Sequence, residues 1–256
     1  MVEIVSENRF GMALVRGVLW GMVGAVYAAL FVALWQVFSF QGLGTYAFFL
    51  AATLAGAAGA AVYGSMQVAI IGTVTGIVAS TAYMVTASKQ VGLWEVVLVA
   101  AVAGALLGGV FQLPAHFTRG APAKALAGLG AGAFAGLVVM LFKWGLPAVS
   151  DIRIIAGLLV VATGGFYVSS VNWWVNSIEP RIPRFFLNAL VSAAVSSIVG
   201  GTVWILGGPV VGVVGLAHDE LLQMVSGLLP SAMVGGAIAG AASGALLELF
   251  GFQPNL

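Results

Sequence analysis

The side chains in this sequence that could recognise a solute are mainly uncharged amides and hydroxyls. Gln67 and Gln112 fall within apolar stretches, where an amide must find a hydrogen-bonding partner. That partner is either a neighbouring helix, through a bond of about 0.6–2 kcal/mol, or a neutral or zwitterionic solute. We therefore take Gln67 and Gln112 as candidate substrate-binding residues. Further uncharged polar residues in apolar stretches are Gln36, Thr73, Thr75, Thr163, Asn172, Asn188 and Ser192.

A second candidate binding position is Gly207-Gly208-Pro209, inside an apolar run over 185–217. One straight helix over this run would measure about 50 Å, against a hydrocarbon core of about 30 Å. Pro209 removes an amide donor, and the two glycines weaken the helix. We expect a span to end near Leu206. The piece that follows lies in the outer interface, re-enters the membrane beside a water-filled cavity, or continues a kinked helix.

Two loops carry residues that could contact an anionic headgroup or a phosphate. These residues are His116, Arg119, Arg181 and Arg184. Basic loop residues of this kind also serve simply to orient a membrane protein. No HExxH, P-loop or dinucleotide motif occurs, and a chain without cysteine has no thiolate ligand or nucleophile. We predict no catalytic residue, no metal site and no cofactor, and a lipid-modifying enzyme is only a third interpretation.

The composition places these residues in a membrane. Of 256 residues, 61% are hydrophobic and 7% are charged, whereas soluble domains carry about 25% charged residues. So few charges cannot cover a water-facing surface, so the lipid bilayer is the expected partner. The net charge of +1 excludes the basic surface that nucleic-acid binding needs.

The apolar stretches predict an all-α polytopic transmembrane helix bundle with about eight spans. Seven spans result if the second and third form one kinked unit, and nine if the piece after Gly207 also spans. We expect a cytoplasmic segment over 1–16, one transmembrane domain over 17–250 and a short tail over 251–256. The predicted spans are 17–39, 46–64, 66–86, 92–113, 123–145, 154–176, 186–206 and 228–250.

Loop charges predict the orientation of these spans. With a cytoplasmic N-terminus, six basic residues fall at inside ends and three at outside ends, as the positive-inside rule favours. We therefore expect a prokaryotic cytoplasmic membrane with both termini in the cytoplasm. The inside set is Arg9, Arg16, Arg119, Lys124, Arg181 and Arg184, and the outside set is Lys89, Lys143 and Arg153.

Glycines recur at a spacing of four in the fifth and eighth spans. Residues four apart share a helix face, and small residues there let two helix backbones approach closely. We predict intramolecular helix packing, with a homo-oligomer interface or a thin pore wall as the alternative. The glycines are Gly128, Gly132 and Gly136 in the fifth span, and Gly236, Gly240 and Gly244 in the eighth.

These two spans also align at an offset of 108 residues, with Pro122 matching Pro230 and Phe142 matching Phe250. Coincidence in a glycine-rich chain is the alternative explanation. In an eight-span chain the two spans run in opposite directions, so the match indicates two inverted halves that meet near 114–122. Inverted repeats are typical of secondary transporters.

The sequence therefore favours a transporter or channel-like permease for a small neutral or zwitterionic solute. No ionisable residue falls at a predicted midplane, which disfavours a proton relay. The alternative is a non-catalytic subunit or assembly scaffold of a larger membrane complex, in which the glycine-rich faces contact partner helices.

Overall fold

A computed structural model of the chain describes residues 2–64, 66–87, 91–110, 121–145, 150–178, 183–211 and 216–250. Within these residues the regular structure is α-helical, and no strand occurs. The prediction of an all-helical fold is confirmed.

Eight α-helices, labelled α1 to α8 in chain order, make up the described part of the chain. Each predicted span overlaps one of them. Their bounds are Val2–Phe40, Thr45–Gly64, Met66–Thr86, Leu93–Val110, Ala121–Gly145, Ile152–Ile178, Arg184–Val211 and Leu216–Leu249.

Six of the described helices contain a stretch long and apolar enough to cross a membrane. A crossing needs about 20 apolar residues, so the chain has the character of a multi-pass membrane protein. α2 and α3 hold shorter apolar stretches, Thr45–Ala60 and Ile70–Thr86. The six longer ones are Phe10–Phe40, Leu93–Val110, Ala123–Lys143, Ile152–Ser177, Asn188–Ile205 and Glu220–Leu249.

Two helices begin earlier than the apolar pattern predicts. α1 starts at Val2, so the polar segment before residue 17 continues the first span as helix. α8 starts at Leu216 rather than near 228, and Pro230 lies inside it.

α7 runs to Val211, so the interruption at 207–209 is not confirmed. The side chains of 206–219 lie outside the described residues, as does the choice between an interfacial and a re-entrant piece.

The helix bounds do not support the 108-residue repeat. Shifted by this offset, α4 would fall on 201–218, which crosses the end of α7 and the start of α8. Helix therefore does not correspond to helix, although α5 does fall largely on α8.

The chain forms two compact units. Unit 1 comprises Met1–Gly56, Gly130–Ser169 and Val225–Leu256, and unit 2 comprises Ala57–Leu129 and Ser170–Met224. Each unit has its own set of close helix crossings.

In unit 1, α1 and α8 cross closely in antiparallel directions. A Cβ added at Gly17 would lie 3.2 Å from the carbonyl oxygen of Ala241, and one at Gly24 would collide with the carbonyl of Gly236. As the residue number on α1 increases, the number of the residue that it contacts on α8 decreases. The two helices therefore run in opposite directions.

The remaining helices of unit 1 also meet at glycines. A Cβ at Gly132 of α5 would collide with the carbonyl of Ala52 on α2, and one at Gly136 would lie 3.0 Å from the Ala52 Cβ. On α6, a Cβ at Gly157 would lie 3.4 Å from the Cβ of Ala239 on α8. Small residues therefore set the helix spacing throughout this unit.

In unit 2, α7 packs against both α3 and α4. Towards α3, a Cβ at Gly72 would lie 2.7 Å from the Val195 Cβ, and one at Gly76 would lie 2.9 Å from the Val199 Cβ. The residue numbers of the contacting positions increase together along the two helices, so α3 and α7 are parallel.

Towards α4 the order is reversed. A Cβ at Gly104 would lie 2.6 Å from the Cβ of Ser196, whereas one at Gly108 would lie 2.8 Å from the Oγ of Ser192. α4 and α7 are therefore antiparallel, and the polar face of α7 lies directly against the glycines of α4.

Candidate functional site

The residues that the sequence singled out for binding fall largely outside the described part of the chain. Gln67 lies on α3, and Arg184 and 207–209 lie on α7. The side chains of all these residues are outside the described part of the structure. Their roles stay predictions. The predicted residues in undescribed segments are Gln112, His116, Arg119 and Arg181.

The structure instead brings together four polar residues inside unit 2. Asn188, Ser192 and Ser196 follow one another at a spacing of four on α7, so they share one helix face. Ser80 of α3 lies beside the same face, because a Cβ at Gly200 would be 2.7 Å from its Oγ. We call these four residues the polar row.

Every member of the polar row is buried. Ser80, Ser192 and Ser196 have no exposed surface, and Asn188 is 5% exposed. The Oγ of Ser196 donates a hydrogen bond of 2.8 Å to the carbonyl oxygen of Gly72, which connects α7 to α3. Ser196 is thus the residue of the row whose side chain has an identified hydrogen-bond partner among the described residues.

The other three members have polar atoms with no partner among the described residues. These atoms are the Oγ of Ser80, the Oδ1 of Asn188 and the Oγ of Ser192. Buried polar atoms in native proteins are nearly always hydrogen-bonded, and each unsatisfied one costs about 1–3 kcal/mol. The row therefore has hydrogen-bonding capacity that the described protein does not use.

The glycines of α4 create the space in which the row sits. Any side chain at Gly104 or Gly108 would overlap Ser196 or Ser192. The hydroxyls are thus packed directly against the α4 backbone.

A polar cluster lies beyond Ser80 along α3, near the last turn of α3 and the first turn of α4. The hydroxyl of Tyr83 donates to the Oε2 of Glu95 at 3.2 Å. The Nε1 of Trp204 donates to the carbonyl oxygen of Val91 at 2.9 Å. From Asn188 to Trp204, α7 rises about 24 Å, so the row and this cluster together extend over most of a hydrocarbon core of about 30 Å.

Two polar contacts in unit 1 have both of their partners among the described residues. The buried hydroxyls of Tyr27 and Thr163 share a hydrogen bond of 3.0 Å. The Nη1 of Arg16 lies 2.6 Å from the Oε2 of Glu248. Both contacts connect one helix of unit 1 to another.

Five of the six predicted helix-packing glycines lie at crossings within the chain. A Cβ at Gly236 would collide with the Gly24 carbonyl, and one at Gly240 with the Trp20 carbonyl. A Cβ at Gly244 would lie 2.7 Å from the carbonyl oxygen of Arg16. In α5, Gly132 and Gly136 meet α2 as described above, and Gly128 is buried.

The chemistry open to the polar row is hydrogen bonding without charge. Hydroxyls both donate and accept, and the amide oxygen of Asn188 accepts. Within the described residues, no group of three or more His, Asp or Glu is arranged to hold a metal ion.

The sequence analysis did not select two residues of the row, Ser196 and Ser80. Ser196 continues the spacing of Asn188 and Ser192, so a search for polar residues four apart would have found it. Ser80 has no such signal, since only the packing of α3 on α7 brings it to this face.

No protein family, curated protein or solved structure matches this chain. The polar row and the helices that hold it are therefore the basis for inferring a function.

Proposed function

We propose that this chain is an integral membrane transporter or channel-like permease for a small neutral or zwitterionic solute, and that the solute binds at the polar row. One observation carries the proposal: three buried polar atoms, on Ser80, Asn188 and Ser192, have no partner among the described residues. A solute that supplies these hydrogen bonds would offset the cost of burying them.

The chemistry of the row supports an uncharged binding group. The Oδ1 of Asn188 accepts a hydrogen bond, so the solute has to donate one there, as an amide or an alcohol does. Any ionic charge, including either charge of a zwitterion, would have no counter-charge among the four residues of the row and would be expensive to bury, so the row favours a neutral solute over a zwitterionic one.

An eight-span topology with both termini on the same side belongs to this proposal. The antiparallel crossing of α1 and α8 supports it, because an even number of alternating spans makes the first and last antiparallel. Seven spans would make them parallel. The excess of basic residues at one set of helix ends supports a cytoplasmic location for both termini.

Flux into liposomes tests the proposal. Purified protein is reconstituted, and the uptake of polyols, small amides and zwitterionic amino acids is followed by light scattering or radiolabel. Combining Ser192→Ala with Asn188→Leu is expected to lower the flux about tenfold, since about 1.4 kcal/mol of lost hydrogen bonding corresponds to a factor of ten. Unchanged flux in a folded double variant would remove the row from the pathway.

Ser197→Ala is the matched control. Ser197 is one residue from the row on the same helix, and its Oγ donates to the carbonyl oxygen of Ala193 at 2.7 Å. Its hydroxyl is already satisfied, so flux should persist. Gln67→Leu with Gln112→Leu, assayed in parallel, tests the residues that the sequence favoured.

A second function, a non-catalytic subunit or scaffold of a membrane complex, is favoured by a different observation. The glycines of α4 lie so close to Ser192 and Ser196 that the row also resembles an ordinary polar helix crossing. Purification in mild detergent separates the two functions. Stoichiometric partner proteins together with an absence of flux would favour the subunit.

A further inference from the structure

We propose that α4 pivots away from α7 to open the polar row, and that the described structure is the closed state. This inference rests on the proposed function, since it explains how a solute reaches side chains that are now covered. Ser80 and Ser192 have no exposed surface, so a solute can bind them only after a helix has moved.

α4 has two contrasting faces, which suit it to this movement. One face presents large apolar side chains, and Leu98, Val102 and Leu106 are each more than half exposed. The opposite face is made of small residues such as Ala100 and Gly104, both buried. The outer face can remain in lipid while the inner face separates from α7.

Between Ala100 and Gly108, the surfaces that would separate are made of small residues. On the α4 side they consist of Ala100, Gly104 and Gly108, and on the α7 side of serines and Gly200. Large side chains that interlock across a crossing resist sliding, and none of these residues has one. The hydroxyl of Ser196 donates its hydrogen bond to Gly72 of α3, not to α4.

The two ends of α4 are held differently. At its first turn, Tyr83 of α3 bonds Glu95, and Trp204 of α7 bonds the backbone of Val91 just before the helix. Towards its last turn, Gly108 and Gly109 meet Ser192 and the ring of Phe185. The first turn is therefore the pivot, and the end near Gly108 is the part that moves.

Paired cysteines test this directly, because the natural chain contains none. The moving-end pair is Gly109→Cys with Phe185→Cys, where a Cβ at Gly109 would lie 2.7 Å from the Cε2 of Phe185. The pivot pair is Val97→Cys with Gly201→Cys, where a Cβ at Gly201 would lie 3.6 Å from the Cγ2 of Val97. Each pair is closed with a short thiol cross-linker in liposomes, and the same preparation without cross-linker is its control.

Cross-linking the moving-end pair should abolish flux, whereas cross-linking the pivot pair should leave the flux unchanged. Flux that survives the moving-end cross-link would overturn the pivot while leaving the transport function standing. Loss of flux with both cross-links would also overturn it, since α4 would then move as a whole. Absence of flux before any cross-linking would defeat the proposed function itself.

A measurement independent of transport covers variants that fold poorly. In native membranes, Ser192→Cys should react with a water-soluble methanethiosulfonate reagent despite its burial, because the row opens transiently. Leu159→Cys on α6, equally buried but outside this crossing, should not react. Failure of Ser192→Cys to react faster than Leu159→Cys would show that α4 stays closed.

Discussion

At the scale of single residues, two serines one turn apart on α7 differ in whether their hydroxyls have a hydrogen-bond partner. Ser192 and Ser196 are both fully buried. Ser196 donates to the Gly72 carbonyl, while the hydroxyl of Ser192 has no partner among the described residues. A buried hydroxyl that makes no hydrogen bond within the described residues adds little to stability and is available for binding.

The two serines should therefore respond differently to alanine. Ser196→Ala removes a hydrogen bond and should lower the free energy of unfolding by about 0.5–1.5 kcal/mol. Ser192→Ala removes an unsatisfied polar atom and should leave stability unchanged or raise it. Unfolding in detergent, followed by circular dichroism, compares them. If Ser192→Ala proves the more destabilising, its hydroxyl has a structural partner.

The ion pair between Arg16 and Glu248 predicts a second residue-level effect. The Glu248 side chain is 8% exposed and that of Arg16 is 29% exposed. Arg16→Met leaves a buried carboxylate unpaired and should cost about 1–3 kcal/mol, less than the ~3–5 kcal/mol typical of fully buried pairs, because water still reaches Arg16. Adding Glu248→Gln should recover part of the loss. An additive double variant in detergent melts would argue against a direct coupling.

At the scale of helices, most of the fold could be predicted from the sequence. An apolar run marks each of the eight helices, and in six of them it is 18 residues or longer, because a chain that crosses a bilayer must form its backbone hydrogen bonds internally. The start of α8 could not be predicted this way. Hydropathy treats Glu220 as a loop residue, yet a carboxylate is stabilised near a helix N-terminus. The helix therefore begins at Leu216, before the apolar stretch does.

The site was harder to predict than the helices. Asn188 and Ser192 could be recognised as polar residues in an apolar stretch, but the sequence favoured Gln67 and Gln112. Whether the polar atoms of Asn188 and Ser192 have partners could not be read from the sequence. This depends on the packing of α3, α4 and α7, which no local pattern encodes.

Glycine substitutions in α8 test the helix crossings. Gly240→Ala places a Cβ against the Trp20 carbonyl of α1 and should destabilise by about 1–3 kcal/mol through overpacking. Gly227→Ala on the same helix meets nothing within 4 Å and should gain up to about 1 kcal/mol from helix propensity. Thermal aggregation in detergent compares the apparent melting temperatures of the two variants. Similar melting temperatures for the two variants would mean that α1 and α8 do not cross at Gly240.

At the scale of the whole molecule, the span count determines which ends of the chain share a side. With eight spans and a cytoplasmic N-terminus, Thr45 at the start of α2 faces outside and Phe250 after α8 faces the cytoplasm. If α2 and α3 formed one span, both residues would face outside. The antiparallel crossing of α1 and α8 favours the first arrangement.

Single cysteines at these two positions decide between the counts. Both residues are exposed, so Thr45→Cys and Phe250→Cys should fold normally in a chain that has no other thiol. In intact cells, a membrane-impermeant maleimide should label Thr45→Cys and should reach Phe250→Cys only after the membrane is permeabilised. Labelling of both in intact cells would require an odd number of spans. It would place the two ends of the chain on opposite sides, which the crossing of α1 with α8 does not allow.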